Sequence, residues 1–227
     1  MSNIVVPTEW KNCNEQVLSS SIMIIVENKE DMARSVYLTV QKDYKLSIPG
    51  GLIDCIGPAN KKLHSANRCT ITSNFSNSDN HKRETPWQAA KREFYEETEM
   101  DDIDFQTLVR LKQEIKFDIP SAHGQTACRM YVWIVPDTPR VLSILGDRAM
   151  SEENKESIYV GLFDLDTLIR NIRAKTTIGF RVCGVNYSSM LRYSQRQNFI
   201  NLLLACPICT LHNPLDGNRC KLCGSLL

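Results

Sequence analysis

The chain has 227 residues and a formal charge of +1 at pH 7, with 27 lysines and arginines against 26 aspartates and glutamates. A hydrophobic fraction of 42% excludes a disordered chain, and the near-zero charge excludes a polybasic nucleic-acid binder. The longest apolar runs, Ile22–Val26 and Leu202–Cys206, fall far short of the roughly 18 residues that span a bilayer. The first ten residues resemble no secretory signal, so we expect a soluble protein that does not contact a membrane.

Three strands and a long loop are predicted for the first third of the chain. Ser20–Val26 and Ser35–Gln41 are rich in β-branched residues, and the shorter strand Leu46–Pro49 is expected to end at Gly50-Gly51. Residues 55–83 are rich in Asn, Ser, Lys and His and show neither helical nor strand periodicity. This composition predicts a long surface loop or insertion.

Strands and helices alternate over the rest of the chain. Pro86 near the start of Glu84–Met100, followed by strong helix formers, predicts a helix there. Further strands are expected at Phe105–Leu111, Glu114–Phe117, Ala127–Val135 and Ser157–Leu162, and further helices at Val141–Leu145, Asp166–Lys175 and Ser188–Ala205. This order predicts an α/β or α+β domain over residues 1–187, a connecting helix over 188–205 and a small module over 206–227.

Acidic residues cluster in the segment Arg92–Glu97. Glu93, Glu96 and Glu97 stand at i, i+3 and i+4, so three carboxylates share one helix face. Like charges at this spacing destabilise a helix by a few tenths of a kcal/mol per pair, and a divalent cation would reverse that effect. Magnesium prefers oxygen ligands and shares its shell with substrate phosphates. Spacing alone leaves a magnesium site and a solvated acidic face both open.

The surroundings of this segment resemble the Nudix box, Gly-x5-Glu-x7-Arg-Glu-U-x-Glu-Glu-x-Gly-U, in which U is a bulky apolar residue. Gly51, Glu84 and Arg92–Glu97 follow the order of the pattern, and the seven residues between Glu84 and Arg92 match its spacing. Leu46–Gly51 resembles the strand and Gly-Gly turn that open the box. Residues 1–187 are therefore identified as similar to the Nudix hydrolase family.

Two features depart from the box. Between Gly51 and Glu84 there are 32 residues instead of five, so 27 are inserted beside the expected substrate cleft. Glu99 replaces the closing glycine, and a left-handed conformation there costs a non-glycine residue about 1 kcal/mol unless the helix runs further. Neither change removes an acidic residue, so we expect catalysis to be retained.

The resemblance implies an α/β/α sandwich with a mixed sheet and a catalytic site on the acidic helix. Glu93, Glu96 and Glu97 would hold Mg²⁺ or Mn²⁺, and Arg92 would brace them. The implied reaction is hydrolysis of a diphosphate in a nucleoside diphosphate linked to another moiety. ADP-ribose and the mRNA 5′ cap are the leading substrates, as for an ADP-ribose pyrophosphatase or an mRNA decapping enzyme. Many members of the family are homodimers.

The box does not fix the general base. Relatives often carry an additional catalytic or metal-binding glutamate just before the strand predicted at Ser157–Leu162. Glu152, Glu153 and Glu156 stand there, and we favour Glu153. A solvated acidic loop is the alternative.

The inserted segment is basic. Its five cations face one aspartate, a net charge of +4 (five minus one), so contact with RNA would be sensitive to salt. A solvated loop that keeps the protein soluble is the alternative. The candidate RNA contacts are Lys61, Lys62, Arg68, Lys82 and Arg83.

Four of the nine cysteines form two Cys-x-x-Cys pairs, Cys206 with Cys209 and Cys220 with Cys223. Their spacing suits tetrahedral Zn²⁺, and about twenty residues cannot bury a core, so the metal would supply most of the folding energy. An odd cysteine total also favours a reducing compartment, the cytoplasm or nucleus, over a disulfide framework. The module resembles the zinc finger of Ran-binding nucleoporins, with Leu204 in place of the usual tryptophan.

Related fingers bind ubiquitin or single-stranded RNA. Thr210, Leu211 and Leu222 stand where the ubiquitin-binding residues lie, while a stabilising clip on the preceding helix remains an alternative. A Nudix domain with an insertion and a finger also resembles proteins of large DNA viruses, including baculovirus ADP-ribose pyrophosphatase-like proteins, which would place the chain in an infected host cell. The rival to an enzyme is a non-catalytic Nudix scaffold that binds RNA or ubiquitinated partners.

Overall fold

A computed structural model describes residues 16–28, 30–31, 33–56, 62–65, 82–120, 126–182 and 185–191. The predicted zinc-binding module lies outside these residues, as do Lys61, Arg68 and residues 192–205 of the predicted connecting helix. Predictions for those segments stay predictions.

The described residues form strands and helices in an order close to the one predicted. The strands are β1 (Gln16–Glu27), β2 (Arg34–Gln41), β3 (Leu46–Ser47), β4 (Gly50–Leu52), β5 (Asp54–Ile56), β6 (Lys62–Ser65), β7 (Lys82–Arg83), β8 (Gln113–Pro120), β9 (Thr126–Pro136), β10 (Arg148–Ala149), β11 (Ser157–Asp164), β12 (Ile178–Val182) and β13 (Val185–Ser189). The helices are α1 (Pro86–Thr98), α2 (Asp102–Leu111), α3 (Pro139–Ile144) and α4 (Leu165–Ala174).

Eight of these strands make one mixed sheet. The order across it is β10-β11-β2-β1-β9-β8, with β3 beside β2 and β4 beside β1. β1 pairs with β9 in parallel, and the other neighbours are antiparallel. β12 and β13 form a separate hairpin, and β6-β5-β7 form a small sheet.

Helices cover both faces of the large sheet because successive side chains of β1 point to opposite sides. Ile22 and Ile24 pack in one core with Phe94 of α1, and α2 and α3 contribute to the same core. Met23 and Ile25 pack in the other core with residues of α4, including Leu168. The predicted α/β class, with a mixed sheet between two helical layers, is confirmed.

The strand predicted at Phe105–Leu111 is wrong, because these residues belong to α2. Asp101 caps this helix, and its side chain accepts a hydrogen bond from the backbone N–H of Asp104 at 2.7 Å. Phe105 and Leu108 are buried at helical i, i+3 spacing. The cap and this spacing indicate a helix, whereas the apolar and β-branched residues of the segment favoured a strand in the prediction.

Three further boundaries differ from the predictions. Gly50 and Gly51 begin β4 instead of only ending a strand, and the insertion contributes β6 and β7 instead of loop alone. Ser188 and Ser189 belong to β13, so a helix does not begin at Ser188. Within the described residues, the helices are too short or too polar to cross a membrane.

Candidate metal centre

Helix α1 carries the acidic segment, and a capping box fixes where it begins. The Thr85 hydroxyl accepts a hydrogen bond from the backbone N–H of Gln88 at 3.2 Å. The Gln88 side chain in turn accepts from the backbone N–H of Thr85 at 2.9 Å. Pro86 follows the cap, where a missing N–H costs nothing. The cap therefore fixes the residue at which α1 begins.

Three carboxylates converge beside β4 and the end of β2. Glu93 and Glu97 lie one turn apart on α1, and Glu156 comes from the β10–β11 loop, residues 150–156. One oxygen from each lies within 4.8 Å of the others. Glu93 and Glu97 are buried and Glu156 is exposed. They line a cavity of about 470 Å³ together with Gln41, Lys42, Asp43, Gly50, Gly51 and Leu52.

Glu97 is the most deeply buried member of the group. Its carboxylate accepts hydrogen bonds from the Thr39 hydroxyl at 3.2 Å and from the backbone N–H of Gly50 at 3.5 Å. Burial, and then the charge of Glu156, raises the pKa of Glu97 to about 8, although these two hydrogen bonds oppose the rise. Near neutral pH this carboxylate therefore needs either a proton or a bound cation.

Arg92 binds several acidic side chains beside the group. Its guanidinium donates to both oxygens of Glu84, at 2.9 and 3.0 Å, and to Glu93 at 2.7 Å. It also donates to the carbonyl of Leu52 at 3.0 Å and lies 3.1 Å from the carboxylate of Asp54. Burial raises the pKa of Glu93, and Arg92 opposes that rise. Arg92 therefore fixes α1 against β4 and β5 and orients Glu93.

Gly51 is required by a close approach. A Cβ atom added to it would lie 2.3 Å from Cδ of Glu93 and 2.4 Å from Oε1 of the same carboxylate. Carbon and oxygen atoms cannot come this close without one of them moving. The glycine of the box thus leaves room for the carboxylate that follows it on α1.

The two ends of the inserted segment lie side by side, so Asp54 and Glu84 stay close together. β5, where the insertion begins, pairs antiparallel with β7, where it ends. Directly after β7, the backbone N–H of Glu84 donates to the carbonyl of Asp54 at 2.9 Å. The Asp54 N–H returns a hydrogen bond to the Glu84 carboxylate, also at 2.9 Å. Lys62 lies in β6 and Lys82 and Arg83 form β7, on this small sheet.

Two predicted residues stand outside the convergent group. Glu96 lies about 100° around the helix from Glu97, and its side chain is exposed. It accepts a hydrogen bond from Arg92 at 3.2 Å. Glu153 is exposed in the β10–β11 loop, and Glu156 of the same loop occupies the place for which Glu153 was favoured.

Sequence reasoning missed the cavity wall at Gln41, Lys42 and Asp43. The pairing of β2 with β11 brings these residues close to Glu156, because Gln41 lies opposite Ser157. The backbone N–H of Lys42 donates to the carbonyl of Glu156 at 2.9 Å. No local pattern signals this pairing, because it joins segments more than one hundred residues apart in the chain.

Several solved structures are similar to this chain. A mutT/nudix family protein from Listeria innocua is 20% identical, covers 70% of this chain and 84% of its own, and gives a TM-score of 0.34. An Ap4A hydrolase from C. elegans is 13% identical, covers 68% of this chain and 84% of its own, and gives a TM-score of 0.36. The NUDIX domain of Shewanella oneidensis NrtR, solved with ADP ribose, is 14% identical, covers 73% of this chain and 82% of its own, and gives a TM-score of 0.35.

No family model and no curated protein matches the chain. At identities of 13–20%, the likeness to the solved structures concerns the fold alone.

Proposed function

We propose that this chain is a divalent-cation-dependent Nudix pyrophosphohydrolase. It cleaves the diphosphate of a nucleoside diphosphate linked to another moiety. The observation that carries the proposal is the convergence of Glu93, Glu97 and Glu156 in one cavity, with Arg92 behind them in the order of the Nudix box. Two buried carboxylates and a third beside them form an unfavourable arrangement unless a cation compensates their charge.

The donor set fits Mg²⁺ or Mn²⁺, which take oxygen ligands. Glu93, Glu97 and Glu156 would hold the cation, and Glu156 takes the role for which the sequence favoured Glu153. When bound, the cation neutralises charge on the phosphates and activates a water molecule. Arg92 keeps the Glu93 carboxylate in place. Lys42, on the wall of the same cavity, offers a positive charge to the phosphate chain.

ADP-ribose and capped RNA are the proposed substrates, and a parallel assay separates them. The wild type is incubated with Mg²⁺ and either ADP-ribose or cap-labelled RNA, beside Glu97→Gln and the matched control Glu152→Gln. Glu152 is an exposed acid of the β10–β11 loop outside the convergent group. We expect Glu97→Gln to abolish hydrolysis and Glu152→Gln to retain it.

The product identifies the substrate class. Cap release that Glu97→Gln abolishes would make the chain a decapping enzyme and give the basic insertion a role in RNA binding. AMP formed from ADP-ribose, with capped RNA intact, would make it an ADP-ribose pyrophosphatase. Hydrolysis of neither substrate, together with salt-sensitive RNA binding or ubiquitin binding, would favour the non-catalytic scaffold instead.

The C-terminal cysteines are proposed to hold one structural Zn²⁺. Four thiolates in two Cys-x-x-Cys pairs support this proposal, because their spacing suits tetrahedral coordination. The finger would then present either an RNA-binding or a ubiquitin-binding surface, and the parallel assay above indicates which partner to test first.

A further inference from the structure

Glu99 stands where the Nudix box has glycine, and its backbone adopts the glycine conformation. With φ 49° and ψ 29° it lies in the left-handed region, and its N–H donates to the carbonyl of Tyr95 at 2.9 Å. Helix α1 therefore ends at Thr98 and does not run on. A glutamate gains nothing over glycine in this conformation, so its side chain needs a separate explanation.

The Glu99 side chain binds Ser151, near the start of the β10–β11 loop. Its Oε2 accepts from the backbone N–H of Ser151 at 3.1 Å, and its Oε1 accepts from the Ser151 hydroxyl at 2.6 Å. These two hydrogen bonds join the end of α1 to the start of the loop.

Asn154 joins the same loop to α1 at a second point. Its side chain is buried, and its Nδ2 donates to the carbonyl of Glu96 at 3.0 Å. Its Oδ1 accepts from the backbone N–H groups of Glu156 at 3.0 Å and of Ser157 at 2.8 Å. One amide therefore connects the last turn of α1 directly to the backbone of Glu156.

The position of Glu156 requires such a restraint. It is exposed and lies in a loop, whereas Glu93 and Glu97 are fixed on a helix. Its carboxylate lies within 4.8 Å of theirs, so charge repulsion favours movement of the loop towards solvent before a cation binds. The loop hydrogen bonds oppose that movement.

We propose that Glu99 and Asn154 are positioning residues that hold Glu156 against Glu93 and Glu97 and so set the affinity of the site for a divalent cation. The inference rests on the proposed function, since it takes these three carboxylates as the cation ligands. Residues that orient metal ligands typically change metal affinity by about 10- to 100-fold when they are replaced.

The test measures Mn²⁺ binding by calorimetry or electron paramagnetic resonance, alongside the thermal unfolding midpoint. Glu99→Gly removes the carboxylate but suits the left-handed backbone, so we expect an unchanged or higher midpoint without metal. Mn²⁺ affinity should nevertheless fall by about 10-fold or more. Glu99→Gln retains one acceptor oxygen and should recover part of the affinity. Asn154→Ala should weaken Mn²⁺ binding in the same way, and Glu152→Gln should bind as the wild type does.

Two outcomes are distinguished by the ligand variants. Wild-type Mn²⁺ affinity in Glu99→Gly, while Glu97→Gln and Glu156→Gln lose binding, would overturn the positioning role and leave the metal centre standing. Wild-type affinity in Glu97→Gln and Glu156→Gln as well would refute the metal centre on which the proposed function depends. A separation of affinity from thermal stability in Glu99→Gly supports the inference, because a purely structural role would move both together.

Discussion

Replacing Glu97 with glutamine removes a titratable group but keeps the size of the buried side chain and an oxygen that can accept from Thr39 or Gly50. In the folded protein the pKa of Glu97 is raised from 4.5 to about 8, chiefly by burial. The unfolded chain therefore loses this proton near pH 4.5, whereas the folded protein keeps it until about pH 8. The resulting stability is fully present below pH 4.5 and is lost as the pH rises to about 8.

The size of this effect follows from the same shift. At about 1.4 kcal/mol per pKa unit, it corresponds to a loss of about 5 kcal/mol at most between those pH values. Movement of the exposed Glu156 side chain into solvent reduces the loss, since its charge contributes to the shift. Because glutamine does not ionise, we expect Glu97→Gln to exceed the wild type in free energy of unfolding at pH 8 by at least about 1.4 kcal/mol.

Urea denaturation at pH 5, 6, 7 and 8 checks this expectation, first in EDTA and then in Mn²⁺. In EDTA the advantage of Glu97→Gln should grow with pH. In Mn²⁺ it should shrink or reverse, because the cation stabilises only a site that retains its ligands. Parallel profiles for the two proteins in EDTA would refute the argument, since they would mean that Glu97 ionises at its ordinary pKa. Glu152→Gln controls for the loss of one negative charge.

Three further predictions address neighbouring features. Gly51→Ala places a carbon 2.3 Å from the Glu93 carboxylate and should cost about 1–3 kcal/mol of stability and abolish Mn²⁺ binding. Gly179→Ala, whose added carbon would lie 3.9 Å from the carbonyl oxygen of Tyr187, should change neither stability nor Mn²⁺ binding in the same assays. Glu96→Gln should weaken Mn²⁺ binding far less than Glu93→Gln in calorimetry. Elemental analysis should find about one Zn²⁺ per chain, lost in Cys223→Ser.

Each of these predictions has a contradicting result. Equal Mn²⁺ binding by Gly51→Ala and Gly179→Ala would show that the close approach to the carboxylate is not needed. An equal loss of affinity in Glu96→Gln and Glu93→Gln would return Glu96 to the ligand set that its sequence spacing suggested. A zinc content unchanged in Cys223→Ser would exclude that cysteine as a ligand.

The sequence was a good guide to α1 and a poor one to its surroundings. The acidic segment, its apolar positions and Pro86 all lie within one helix, so local spacing predicted both the helix and Glu93 and Glu97 as a pair. Glu96 at i+3 satisfied the same spacing rule, but the sheet contacts α1 on the side of Glu93 and Glu97. That choice depends on tertiary packing and cannot be deduced from the helix alone.

Glu156 shows more clearly what the sequence alone cannot predict. Three glutamates stand in a loop of seven residues, and composition cannot distinguish them. In the folded chain, Asn154 forms hydrogen bonds with Glu96, Glu156 and Ser157. These bonds fix the backbone just before β11 and so the position of Glu156. Sequence analysis named the loop, and the folded chain brings Glu156 of that loop within 4.8 Å of Glu93 and Glu97.

The two departures from the Nudix box are each compensated by hydrogen bonds of this chain. The insertion begins in β5 and ends in β7, and pairing of these strands returns Glu84 to the carbonyl of Asp54. At the other end of the box, Glu99 has a strained left-handed backbone conformation, and its side chain binds Ser151. Both devices act outside the three carboxylates. Changes in the insertion or the β10–β11 loop could therefore alter substrate choice or cation affinity while the carboxylates themselves stay the same.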